Sequence, residues 1–137
     1  MEKRIITVSR QFGSGGRTVG KHLAEKLGVP FYDKELVKKV AEETGLDAAF
    51  VEEKGEFSPS KSFFSFAMSQ GVQCMPNGLS LSDFIYCAQR QVILKLAEQP
   101  CVIVGRCADF ILKDREDCFH TFIHSDIKSR AERIVKL

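Results

Sequence analysis

IITVSRQFGSGGRTVGKHLAEKL, residues Ile5 to Leu27, runs through three patterns in succession. Ile5, Ile6 and Val8 read as a strand, Gly13, Gly15 and Gly16 as a turn, and Val19, Leu23, Ala24 and Leu27 recur at helical spacing. Glycines let successive backbone N–H groups point into one concavity, and a helix N-terminus adds partial positive charge at the same place. The order strand, glycine loop, helix therefore predicts a cradle for a phosphate group, formed by Gly13, Ser14, Gly15 and Gly16.

Set against the phosphate-loop pattern G-x-x-x-x-G-K-[ST], the run Gln11 to Thr18 keeps Gly16 and Thr18 and departs from it at Gln11 and Arg17. The strand before and the helix after supply the context that the pattern requires. Arg17 offers phosphate oxygens a planar fork where lysine offers a point charge. Thr18 keeps the hydroxyl that a magnesium ion takes. Two other readings stand beside this one. A dinucleotide fingerprint needs its third glycine where Thr18 sits, and a strand-to-helix connection with no ligand needs fewer glycines than are present.

The 137 residues suit one domain with a moderate core, burying roughly two-thirds of the unfolded surface. A formal charge of +2, from 20 basic and 18 acidic residues, gives no electrostatic case for binding a nucleic-acid polymer. No apolar run approaches bilayer length and MEKRII lacks a signal-peptide layout, so the expectation is a soluble, cytoplasmic protein without membrane contact. Cys74, Cys87, Cys101, Cys107 and Cys118 form no CxxC pair and have no histidine at zinc spacing, which predicts free thiols in a reducing compartment.

Beyond the first helix, Gly28 reads as its C-cap and Val29-Pro30 restarts the chain as extended structure. Phe31 and Tyr32 give a second strand ending at Asp33, a carboxylate placed either to hold a metal or orient an acceptor, or to cap the helix over Lys34 to Thr44. Gly45 closes that helix and Asp47 caps a short one through Glu52. Phe63, Phe64, Phe66 and Met68 suit core packing or a dimer contact, and Pro76-Asn77-Gly78 a turn. Ser80 or Ser82 starts a long amphipathic helix to Glu98, with Ile85, Ala88, Val92 and Leu96 on one face. Cys101 to Val104 is continuously apolar, as in a strand buried on both faces of a parallel sheet, and it delivers Gly105, Arg106 and Asp109 at its carboxyl end. Phe119 to Ile123 is a further strand, flanked by His120 and His124 as structural residues, and Asp126 caps a last helix whose Arg130 and Arg133 share a face.

The run SRQFGSGGRTVGKHLAEKLGVPFYDKELVKKVAEE resembles the start of the cytidylate kinase-like proteins, a branch of the P-loop nucleoside monophosphate kinases. In that branch the loop reads GSGG followed by arginine. The likeness recurs at VIVGRCADFIL and FIHSDIKSRAERI. It implies an α/β fold of the P-loop NTPase type, three-layered, with a parallel sheet in the order 2-3-1-4 and a helical acceptor-binding lobe inserted at residues 34–82. It implies transfer of a phosphoryl group from ATP, with magnesium, to a nucleoside monophosphate such as cytidylate. Gly13, Ser14, Gly15, Gly16, Arg17, Thr18, Arg130 and Arg133 then serve the donor, Thr18 the magnesium, and Asp33, Arg106 and Asp109 the acceptor, with Arg17, Asp33 and Arg106 catalytic. The family's arginine is followed directly by aspartate, whereas here Cys107 intervenes and Asp109 comes later. Relatives continue into a lid and a last strand after the point where this sequence ends. A binding module without turnover, a kinase for another small acceptor, and a homodimer remain alternatives.

Overall fold

The computed structural model describes residues 2–44 and 81–137. The chain divides into one unit of Met1–Asp33 with Leu94–Leu137 and a second of Lys34–Ile93. Within the described residues of the first unit lie β1 (Ile5–Arg10), α1 (Gly16–Leu27), β2 (Phe31–Tyr32), β3 (Cys101–Val104), α4 (Ala108–Ile111), β4 (Cys118–Ile123) and α5 (Ile127–Val135). The second holds α2 (Lys34–Thr44) and most of α3 (Leu81–Leu96).

The four strands form one parallel sheet in the order β2-β3-β1-β4, the order expected from the resemblance. Ile5 of β1 stands in register with Cys101 of β3 on one side and Cys118 of β4 on the other. All four residues of β3 are buried, as its unbroken apolar run predicts. Val8, Ala24, Val102 and Val104 form the core under α1, with Ile6, Val29, Phe31 and Ile123 packed around them. Each fully buried branched side chain of this kind contributes roughly 1.5–3 kcal/mol. The helix comes close to the sheet because Gly20 faces it: a Cβ there would meet Val104 Cγ2 at 3.0 Å and Phe31 Cε2 at 3.3 Å. Gly28 ends α1 in the left-handed conformation at φ 66°, its N–H donating to the carbonyls of Ala24 and Glu25, as predicted.

The amino end of the sheet is closed by a charged clasp. Arg115 donates from Nε to Asp117 Oδ1 at 2.8 Å, from Nη2 to Oδ2 at 2.6 Å, and from Nη1 to the carbonyl of Ala97 at 2.9 Å. The backbone N–H groups of Arg4 and Ile5 donate to the carbonyl of Asp117. Cys101 and Cys118 are buried beside this clasp, and burial pushes the Cys101 thiol up to about 11, so it stays protonated at neutral pH. The loops at the carboxyl end are left to carry the chemistry.

In the second unit, α2 buries Leu36, Val37 and Val40, and α3 buries Ile85, Gln89, Val92 and Ile93. The predicted stripe on α3 is thus correct at Ile85 and Val92, while Gln89 and Ile93 take the deepest places that the sequence pattern gives to Ala88 and Leu96. α3 stops at Leu96 rather than Glu98, since the next residues bond in tight turns, Glu98 N–H to Lys95 and Gln99 N–H to Leu96. The expectations for Gly45, for the helix capped by Asp47, for the phenylalanine cluster, for Pro76-Asn77-Gly78 and for Ser80 lie outside the described residues. Among the described residues, no helix is long and apolar enough to cross a membrane.

Candidate functional site

Three strands of the sheet end at the same edge, and each hands over to residues with chemistry. β1 passes into the glycine loop, β2 into Asp33, and β3 into Gly105-Arg106-Cys107. In open parallel sheets this carboxyl edge is where ligands bind.

The loop takes its shape from glycines in the left-handed region, Gly13 at φ 79° and Gly15 at φ 85°. Gly15 occupies the N-cap position of α1 without a side-chain cap, and the first turn of that helix carries no acidic residue. A helix leaves its first N–H groups without intrahelical partners, and serine or aspartate usually meets them. Here that end is open to an external anion, with the helix dipole in its favour. Ser14 is buried and its Oγ has no hydrogen-bond partner, an orphaned hydroxyl inside the loop. Such a group is costly unless a ligand satisfies it.

α5 forms one wall of this cradle. A Cβ on Gly13 would sit 2.8 Å from the carbonyl oxygen of Arg130, and one on Gly15 would sit 2.9 Å from Nη1 of Arg133. Arg133 thus lays its guanidinium against the loop. Arg130 is used differently, donating from Nε to the carbonyl of Ser125 at 3.1 Å and from Nη1 to that of Phe12 at 3.5 Å. Asp126 caps α5 by accepting from the N–H of Ser129 at 2.9 Å, as predicted, and the Ser129 hydroxyl and N–H hold its carboxyl below the usual carboxylate range.

Arg17 is exposed on the first turn of α1 and reaches Asp33 at the end of β2, Nε to Oδ2 at 2.5 Å. Thr18 is exposed on the same turn. Arg106 is 5% exposed at the end of β3. It lies in a run of three left-handed residues, Gly105 at φ 68°, Arg106 at φ 58° and Cys107 at φ 58°. Two non-glycine residues in that region cost of order 1–3 kcal/mol each, strain of the kind that collects at functional sites. Asp109 stands exposed on α4 beyond this turn.

The structure thus joins Arg17 to Asp33 and seats α5 with Arg130 and Arg133 on the loop; Arg106 and Asp109 occupy the adjoining strand end. Two contributors escape the sequence reading. Gln11 accepts from the N–H of Ser125 through Oε1 at 3.2 Å and donates its own N–H to Ile123 at 2.9 Å, tying the loop to the β4–α5 turn. The stem of Arg10 lies against Gly16, where a Cβ would meet Arg10 Cβ at 2.5 Å. The only signal for Gln11 is that it replaces the first motif glycine, and the contact it makes spans 114 residues.

A parallel sheet with a glycine loop between its central strand and a helix, edged by arginines, defines the P-loop kinase type of fold. The chain belongs to the cytidylate kinase-like family, whose pattern it matches over residues 5–137. It is similar to an uncharacterised protein from Eubacterium ventriosum, with 30% identity and a TM-score of 0.61, covering 96% of this chain and 60% of that one. The shikimate kinase from Bacteroides thetaiotaomicron shares the fold at 20% identity and a TM-score of 0.54, over 97% of this chain and 64% of that one. The shikimate kinase of Buchnera aphidicola subsp. Baizongia pistaciae is 36% identical over 50 residues, which are 36% of this chain and 28% of that protein. The chain therefore spans little more than a quarter of the curated relative's length.

Proposed function

We propose that the chain acts in the transfer of the γ-phosphoryl group of ATP to a small acceptor, a nucleoside monophosphate with cytidylate first among them. The observation that carries this reading is the glycine loop, with its left-handed Gly13 and Gly15, its orphaned Ser14 hydroxyl and the Arg133 guanidinium above it. That cradle suits a polyphosphate in shape and charge. Phosphoryl transfer leaves little covalent work for a protein beyond positioning and charge neutralisation. Backbone N–H groups of Gly13 to Gly16 hold the donor phosphates, and Arg17 and Arg133 balance charge on the transferring group. Thr18 supplies the hydroxyl for magnesium, which when bound neutralises the β and γ oxygens. Asp33 and Arg106 orient the acceptor, with Asp109 on the helical turn that follows Arg106.

A second acceptor class has its own support, because the matched relative of Buchnera is a shikimate kinase. Calorimetric titration with magnesium-ATP, then with CMP, AMP, UMP, GMP and shikimate, followed by an assay of ADP release, separates these. ADP formed only with CMP bears out the first reading and ADP formed only with shikimate the second. ATP binding without turnover identifies a binding module, and no binding of ATP refutes the phosphate-loop reading.

A further inference from the structure

The site contains an ion pair whose partners belong to opposite halves of the proposed reaction. Arg17 serves the donor phosphates and Asp33 the acceptor, and in this structure they hold each other through Nε and Oδ2 at 2.5 Å. Their surroundings are unequal, the Asp33 side chain being 13% exposed and that of Arg17 56%. The carboxylate is the fixed post, set by the end of β2, and the arginine is the arm that can swing on its flexible stem.

Each ligand competes with this bond. A phosphate in the glycine loop draws the guanidinium toward its oxygens, where a bidentate charge-assisted contact replaces the carboxylate. An acceptor hydroxyl needs Asp33 to be a free acceptor of hydrogen bonds. We infer that the Arg17–Asp33 pair is a latch that couples donor and acceptor binding: a ligand engaging either partner releases the other. The inference rests on the kinase reading above. Linkage makes the coupling reciprocal, so ATP raises the affinity for acceptor by the same factor as acceptor raises that for ATP. An acceptor arriving first meets a carboxylate already engaged, and one arriving second meets it free.

The test is calorimetric titration of magnesium-ATP into the wild-type chain, Asp33→Asn, Arg17→Ala and the double variant, each first checked for folding by circular dichroism. Asn keeps the shape of Asp without its charge, and Asp33→Ser is the substitute should Asn disturb the fold. Asp33→Asn is expected to bind magnesium-ATP about two- to fivefold more tightly than wild type, the scale of one partly exposed ion pair. In the Arg17→Ala background the gain disappears, because there is no arm left to release. Equal or weaker binding by Asp33→Asn, with wild type binding normally, overturns the latch and leaves the phosphate loop standing. A gain of the same size in the Arg17→Ala background overturns it as well, since it reports only the removal of negative charge near the phosphates. Binding by none of the four proteins overturns the kinase reading and the latch together, while binding by Asp33→Asn but not by wild type supports the latch.

Discussion

Asp117 and Arg115 show what a well-formed charge pair does when it is far from the chemistry. Asp117 is 8% exposed and receives two guanidinium hydrogen bonds from Arg115, which hold its carboxyl below the usual carboxylate range. A carboxyl with a folded pKa below its unfolded value contributes stability above the unfolded value, near 4, and that contribution is lost as pH falls through the folded value. The melting temperature is therefore expected to drop as pH goes below about 4, and Asp117→Asn to weaken that dependence. The variant should also lose about 1.5–3 kcal/mol at neutral pH, the worth of hydrogen bonds to a charged group. Chemical denaturation at pH 7 and at pH 3 measures both, and a wild-type acid profile in the variant would count against this account. Arg115 and Asp117 lie two apart in sequence, yet no motif marks them, because their value comes from the carbonyl of Ala97 and the strand start they close over.

At the scale of elements, α1 is seated on the sheet through Gly20 and Ala24. Gly20→Ala improves intrinsic helix propensity by about 1 kcal/mol, yet the added methyl would press on Val104, buried at 1%, and on Phe31. Overpacking of about 1–3 kcal/mol should win over the propensity gain. The melting temperature of Gly20→Ala is expected to fall, and a rise would mean that the helix can lift off the sheet at no cost. α1, β3 and the Asp126 cap were legible because each is written in neighbouring residues: a period, an apolar run, a capping aspartate. The left-handed run Gly105-Arg106-Cys107 was not, since only its first residue is a glycine. The buried face of α3 was half legible, because Gln89 is polar in composition and fully buried in fact. Within the site, the loop residues were legible from their spacing, whereas the Gln11–Ser125 contact spans 114 residues and the Arg17–Asp33 pair joins the first turn of α1 to the end of β2, so neither is written in neighbouring residues.

For the whole molecule, the local concentration of charge matters more than the net value of +2. Arg10, Arg17, Arg106, Arg130 and Arg133 gather at the carboxyl edge of the sheet, where Asp33 pairs with Arg17. Magnesium-ATP at one hundred times its dissociation constant should add about 2.7 kcal/mol to stability, visible as a thermal shift of several degrees. Inorganic sulfate should give a smaller shift that fades as salt screens the arginines. A melting curve indifferent to both would remove the anion site. The parallel arrangement has one more effect, on the timing of birth rather than on binding. β1 is the inner strand that pairs with β3 and β4, and its first partner, Cys101, follows Ile5 by 96 residues. At a synthesis rate of about 5–20 residues per second, Ile5, Ile6 and Val8 wait roughly 5–20 seconds on the ribosome before a neighbouring strand exists to cover them.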